Sequence, residues 1–263
     1  MTLKRTLGVF AIIIVAWLIL PTLVIVPMSF NSVSSFNFPP QGWSLQWYEN
    51  FFTDASWLRS LAASLQVAVL TTIVATSIGV LAALGLSKVR FRGKSVLEGY
   101  FLLPLIVPGI VLAVGLYSVF LRFGLLGSLV GFVLAHTVVS LPLVITNVLA
   151  SLQGIDPRLE HAAASLGANR VTAFFTVTLP LIVPGVTAGA LFAFVTSFDE
   201  VILSLFIQSP TLQTLPVKIF NSVTQTNDPT VAAVAVITML TSIVIMLGAQ
   251  LATRKRKRKR ATS

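Results

Sequence analysis

The 263-residue chain contains no cysteine, only two histidines and only eight acidic residues. Without thiols it can form neither disulfides nor thiolate metal sites. His136 and His161 are too few and too far apart in sequence to suggest a metal centre. A phosphate-binding loop of the form G-x-x-x-x-G-K-[ST] is also missing. We therefore expect no catalytic residues, no metal and no cofactor, and we expect any ATP to be bound by another chain.

Charged residues make up 10% of the chain, against roughly a quarter in soluble proteins, while hydrophobic residues make up 56%. The mean hydropathy is +0.93, which indicates a polytopic membrane protein. The net charge of +10 does not indicate nucleic-acid binding, because seven of the eighteen basic residues form one run, Arg254–Arg260, directly after an apolar segment. Such a run is typical of a topology determinant that contacts anionic membrane lipids.

Six apolar segments are long enough to cross a bilayer core of roughly 30 Å, which takes about 20 helical residues. They cover residues 7–29, 61–86, 99–120, 128–150, 180–206 and 229–252. With both termini in the cytoplasm, fifteen basic residues lie inside and three outside, as the positive-inside rule favours. The sequence therefore predicts an all-α fold with six transmembrane helices, the first of them an uncleaved anchor.

This topology divides the chain into three regions. Residues 1–59 hold the first transmembrane helix and an external aromatic segment, residues 60–252 form a five-helix core, and residues 253–263 form a basic cytoplasmic tail. The aromatic segment is typical of the headgroup level of a membrane, either as a re-entrant cover or as an aromatic belt. The core contains a cytoplasmic loop over residues 151–179.

A polar stretch within this loop, Glu160–Pro180, lies between two long apolar spans. Asp156-Pro157 is suited to begin a helix, because Asp accepts N–H bonds at the N-cap and Pro fits the first turn. Gly167 is suited to the left-handed position that ends it, and Asn169 can cap a second short helix that leads into the fifth span. We expect a helix-turn-helix hairpin in water that offers a surface to another protein.

The spacing within this stretch resembles the coupling loop of bacterial ABC-importer permeases. In that family's EAA motif, Glu-Ala-Ala is followed by three residues, a Gly, nine residues, an aliphatic residue, any residue and Leu-Pro. The chain meets this spacing in full, at His161-Ala162-Ala163, Gly167, Val177 and Leu179-Pro180. One residue departs from the motif, because the position of the family's Glu is His161. Either His161 contacts the ATPase itself or Glu160 has taken over the acid's role, and we prefer the second interpretation.

Asp199 and Glu200 are adjacent acids within apolar sequence. A charged side chain at the centre of a bilayer costs about 2.5–3.5 kcal/mol on insertion scales, so these acids should face a protein interior or a water-filled cavity. Two acids without a neighbouring base suit a cationic substrate at the external end of a transport pathway. Alternatively, they cap a helix end or pair with Lys218 or Arg59.

Three further stretches, FPPQGWSLQWYENFF, SFDEVILSLF and LPVKIFNSVTQTNDPTVAAV, resemble segments of the second permease subunit of spermidine/putrescine importers. The resemblance implies a type I ABC importer permease fold and a place in the bacterial inner membrane. It also implies three partners: a homologous second permease, a dimer of ATP-binding cassette ATPases and an external solute-binding protein. Importers of ferric iron or other small solutes, membrane-embedded enzymes and channels remain alternatives.

Overall fold

The computed structural model of the protein describes residues 2–34, 37–88, 92–156, 158–226 and 228–261. In these ranges it contains helices and one isolated β-bridge, between Asn31 and Trp43, and no named strand. The α-helices are α1 (Thr2–Met28), α2 (Gln46–Thr53), α3 (Ala55–Lys88), α4 (Lys94–Ile106), α5 (Gly109–Phe123), α6 (Leu129–Gln153), α7 (Arg158–Ser165), α8 (Arg170–Ala173), α9 (Leu179–Phe198), α10 (Ile202–Ile207), α11 (Leu215–Asn221) and α12 (Thr230–Ala261). Two π-helical segments are π1 (Phe174–Thr178) and π2 (Ser222–Thr226). The all-α prediction is confirmed.

Three continuous helical stretches are long and apolar enough to cross a membrane: Ala55–Lys88, Leu129–Gln153 and Arg170–Phe198. Two bent pairs, within α1 and between α4 and α5, raise the number to five if each pair is one span. Thr230–Ile245 is a shorter apolar helix. The described residues thus support a multi-pass membrane protein, and the count of six spans stays a prediction.

The third predicted span, residues 99–120, is not one straight helix. It is divided between α4 and α5, which meet at an angle of 100°. The break falls at Val107, which has extended backbone angles, and at Pro108, the N-cap of α5. A residue before proline is pushed out of the helical region by the proline ring, so the helix ends there.

The chain divides into two compact units, the first comprising residues 1–59 and 218–245 and the second residues 60–217 and 246–263. In the first unit, Phe51 and Trp57 are buried, with ring centroids 6.3 Å apart. The Lys218 ammonium lies 5.4 Å from the centre of the Trp57 ring, a cation–π contact. Asn50 donates a hydrogen bond to the Thr230 hydroxyl at 2.7 Å. Part of the aromatic segment therefore forms the core of this unit.

The second unit is built around the packing of α6 against α9. Glycines allow the two helices to approach closely, because a Cβ on Gly185 would lie 2.6 Å from the Asn147 carbonyl oxygen and one on Gly189 would lie 3.0 Å from the Val144 Cα. Small residues at such positions are typical of helix contacts in membranes. This pair of helices connects the two sites described below, since α9 begins at the loop over residues 151–179 and ends at the acidic pair.

Candidate functional site

The loop over residues 151–179 forms the expected hairpin of two short helices. The Asp156 carboxylate accepts a hydrogen bond from the backbone N–H of Arg158 at 2.9 Å, so Asp156 caps α7 as predicted. Pro157 lies outside the described residues. At the start of the second helix the Asn169 side chain accepts a hydrogen bond from the N–H of Thr172 at 2.8 Å. Asn169 therefore caps α8, as predicted from the sequence.

Gly167 ends α7 in the left-handed conformation, with φ at +88°. The N–H of Ala168 bonds the Ala163 carbonyl at 3.0 Å, and the N–H of Gly167 bonds the Ala164 carbonyl at 2.9 Å. These two bonds form a Schellman motif, which satisfies carbonyls that the helix end would otherwise leave open. Beyond its two chain neighbours, no heavy atom of the described residues lies within 4 Å of the place where a Cβ on Gly167 would stand. The turn is therefore open to an approaching partner.

From Arg170 to Phe198 the chain is helical without interruption. The π1 segment lies between α8 and α9 and ends two residues before Pro180. A proline cannot donate the N–H bond that a regular helix would make to the preceding turn, and a widened turn next to it relieves that loss. The second helix of the hairpin is thus continuous with a helix that is long and apolar enough to cross a membrane.

Glu160 points from α7 towards the rest of the second unit. Its two carboxylate oxygens lie 2.9 and 2.7 Å from the Lys88 ammonium at the end of α3, and it also accepts a hydrogen bond from the hydroxyl of buried Thr178. The hydrogen bonds from Lys88 and Thr178 hold the pKa of the Glu160 carboxyl below its usual value, despite partial burial. The carboxylate is therefore ionised at neutral pH.

Several other loop residues point into solvent. His161 and Ala162 are exposed, whereas Ala163, Val177 and Pro180 are half-buried. Leu166 is 90% exposed, Val171 65% and Phe175 59%. Contiguous exposed apolar patches mark interaction sites, and these three side chains lie within ten residues of one another in the chain.

The fifth predicted span, residues 180–206, is interrupted, because α9 stops at Phe198 and the separate helix α10 begins at Ile202. The acidic pair lies in this break. Glu200 accepts a hydrogen bond from the N–H of Leu203 at 2.9 Å and thereby caps α10. Asp199 is exposed. The ion pairs among the described residues are Lys88–Glu160 and Lys94–Glu98, so neither acid of the pair has a cationic partner there.

A buried histidine lies within hydrogen-bond distance of residues on both sides of this interruption. His136 on α6 is 0% exposed. Its two ring nitrogens lie 2.8 Å from the Ser197 hydroxyl, near the end of α9, and 2.9 Å from the Ser204 hydroxyl on α10. A neutral imidazole with one donor and one acceptor satisfies both hydroxyls.

Comparison with known proteins assigns the chain to a family. Residues 75–259 match the family model described as the inner membrane component of binding-protein-dependent transport systems. The chain belongs to this family. The match includes the hairpin, the acidic pair and the packing of α6 on α9.

Two curated relatives have closely related names. The permease is 35% identical, over 94% of its length and 93% of the relative's, to the spermidine/putrescine transport system permease protein PotC of Escherichia coli (strain K12). It is 31% identical, over 82% of its length and 79% of the relative's, to the putrescine transport system permease protein PotI of the same strain. Among solved structures it resembles a chain of a bacterial alginate ABC transporter in complex with an alginate pentasaccharide-bound periplasmic protein. That TM-score is 0.74, at 18% identity, with 97% of the permease and 94% of the other chain covered.

These comparisons confirm the ABC importer permease fold and the classification as a transport subunit. The predicted site residues fall into two groups, the hairpin residues and the Asp199–Glu200 pair, at opposite ends of α9. The partners Lys88 and Thr178 lie 72 and 18 residues from Glu160 in the chain, and no sequence pattern indicates these contacts. The exposed apolar residues of the hairpin were not predicted either, although apolar residues in a polar loop are visible in the sequence.

Proposed function

We propose that the permease is one of two transmembrane subunits of an ATP-driven importer that carries polyamines such as spermidine and putrescine into the cell. The observation that carries the substrate assignment is its identity of 35% and 31% to permeases named for these solutes, over most of the chain. Polyamines are cations, and the exposed carboxylate of Asp199, without a cationic partner among the described residues, suits them. Glu200, which caps α10, contributes a second negative charge beside it.

The hairpin is the proposed docking site for the ATPase. Its open turn at Gly167 and its exposed side chains at Leu166, Val171 and Phe175 give a partner an apolar surface to cover. Exposed Ala162 presents little side-chain bulk, so a groove can close on the helix backbone. Val177 and Pro180 connect this surface to α9. The proposed topology places the loop and both termini in the cytoplasm of a bacterium.

The proposed partners are a homologous second permease, two copies of an ATPase and an external solute-binding protein. Closure of the ATPases on ATP would displace the hairpins, and the continuous helix from Arg170 to Phe198 would carry this displacement to the acidic pair. The permease itself makes and breaks no bonds in this scheme. It supplies the pathway and the mechanical link.

Expression of the chain with its neighbouring transport genes and purification through a tag on the permease tests this proposal. We expect an ATPase and a second permease to co-purify, and we expect the cognate external protein to bind spermidine or putrescine in calorimetry. An external protein that bound an acidic sugar or ferric iron instead would overturn the substrate. A permease purified without any ATPase would overturn the importer assignment.

A further inference from the structure

We propose that Glu160 is an internal positioning residue, which ties the hairpin to the cytoplasmic ends of two membrane-spanning helices, and that His161 is the residue presented to the ATPase. This inference deepens the proposed function and rests on it. It differs from the interpretation preferred from sequence, in which Glu160 has taken over the docking role of the family's acid.

The contacts that Glu160 makes with other described side chains lie within the second unit of the permease. Lys88 is the last residue of α3 and Thr178 the last residue of π1, so one carboxylate joins α3, α7 and the helix that continues as α9. The Thr178 side chain is 1% exposed, which places this end of the network inside the protein. The remaining exposure of the Lys88 and Glu160 side chains is 50% and 30%.

His161 cannot share these contacts, because successive residues on a helix point about 100° apart. The structure accordingly places His161 in solvent while Glu160 is half-buried. Lys88 and Thr178 already occupy three of the roughly four acceptor positions of the Glu160 carboxylate, which leaves it little capacity to bind an ATPase. An imidazole can both donate and accept a hydrogen bond, so His161 can meet a polar partner across the interface.

The importance of the network is geometric. An ion pair between partly exposed groups adds little to stability, and salt weakens it further. What it fixes is the position of α7 relative to the ends of α3 and α9. A push on the hairpin then moves both spans together, whereas without the network the hairpin can move while α3 stays in place.

A charge swap between the two residues tests the proposal. We compare Lys88→Glu, Glu160→Lys and the double variant in the complete complex reconstituted in proteoliposomes, measuring polyamine uptake per ATP hydrolysed. Each single variant should lower this ratio by about five-fold or more, the lower end of typical coupling effects. The double variant should recover at least half of the wild-type ratio, because the pair is restored with its charges reversed. If Glu160 contacts the ATPase instead, a lysine there fails whatever residue 88 is, and absence of recovery overturns the proposal.

Two further variants keep the test decisive if a charge reversal prevents folding. Thr178→Val removes one hydroxyl and should also lower the uptake per ATP, with normal ATPase co-purification. His161→Ala should lower the amount of ATPase that co-purifies, and the uptake per ATP of the assembled complexes should stay normal. A complex that keeps its full ATPase with His161→Ala and loses it with Glu160→Gln would overturn the assignment.

Failure of the proposed function would look different. A wrong substrate would appear as a lack of polyamine uptake by the wild-type complex. The charge swap would then be judged from the rate of ATP hydrolysis by each assembled complex relative to wild type, which requires no knowledge of the solute. The single variants should change this rate and the double variant should bring it back towards wild type, and absence of recovery would overturn the proposal.

Discussion

Substitution of Gly167 can cost free energy in two ways, within the permease itself and at the surface where a partner docks, and these two costs can be separated. A Cβ at this position meets no heavy atom of the described residues within 4 Å beyond its chain neighbours, so this part of the chain offers no steric resistance. The remaining internal cost is the left-handed backbone at φ +88°, which is about 1–2 kcal/mol for most residues and lower for Asn. Any larger loss must come from a partner that approaches the turn.

We therefore expect Gly167→Ala, Gly167→Asn and Gly167→Asp to differ in a particular order. Alanine adds strain with little bulk, asparagine adds bulk with little strain, and aspartate adds bulk and charge. If an ATPase closes on the turn, both larger side chains should release it more than alanine does, with Gly167→Asp the most severe at ten-fold or more, or about 1.4 kcal/mol. Membrane insertion should be unaffected in all three.

The assay is the ratio of ATPase to permease after purification, together with polyamine uptake in proteoliposomes. Gly93 provides a matched control, since it is also left-handed, at φ +93°, and a Cβ there would likewise stand in open space within 4 Å among the described residues. Gly93→Asp should keep its ATPase. Normal co-purification and uptake with Gly167→Asp would refute the docking role of the loop, and an equal loss with Gly93→Asp would attribute the effect to backbone strain.

Three other predictions concern the pathway, the packing and the topology. Asp199→Asn should lower polyamine uptake per assembled complex about ten-fold or more, because a carboxylate attracts an ammonium at 4 Å by roughly 4 kcal/mol at an effective dielectric near 20, before desolvation. Glu200→Gln should keep the cap of α10, because the amide oxygen can still accept the bond, and it should lower uptake less because Glu200 is half-buried whereas Asp199 is exposed. Unchanged uptake in both variants would remove the argument for a cation pathway. Gly185→Ala should destabilise the purified permease by about 1–3 kcal/mol in thermal unfolding. Gly115→Ala is the control and should not destabilise it, because a Cβ there meets no atom of the described residues within 4 Å. Equal melting temperatures of the two variants would contradict the close packing of α6 on α9. A cysteine at exposed Gln225 should react with an impermeant reagent in intact cells, and protection of this site would overturn the proposed orientation.

Local features of the hairpin could be predicted from sequence because their causes are local. Asp156 and Asn169 are capping residues, and a glycine is the residue that the left-handed turn at Gly167 favours. The division of the third span could also have been predicted, since Pro108 disfavours a helical conformation at Val107. The prediction of one continuous span followed the apolar composition of residues 99–120 instead.

Contacts between distant parts of the chain could not be predicted in this way. The contact of Lys88 with Glu160 joins residues 72 apart, and His136 bonds hydroxyls 61 and 68 residues away. No spacing rule in one sequence indicates such pairs, because they depend on how the helices pack against one another. The cap that Glu200 gives to α10 is local by contrast, since it joins residues three apart, and capping of a helix end was one of the roles that the sequence left open for the acidic pair.

The central claim, that the permease couples ATP hydrolysis to polyamine import, is tested most directly by transport in a defined system. The permease, its second permease, the ATPase and the external binding protein are reconstituted in proteoliposomes, and entry of labelled spermidine and putrescine is followed with and without ATP. We predict uptake that requires both ATP and the binding protein and that falls with Gly167→Asp. Uptake independent of ATP, or no polyamine uptake by a complex that imports another solute, would contradict the account.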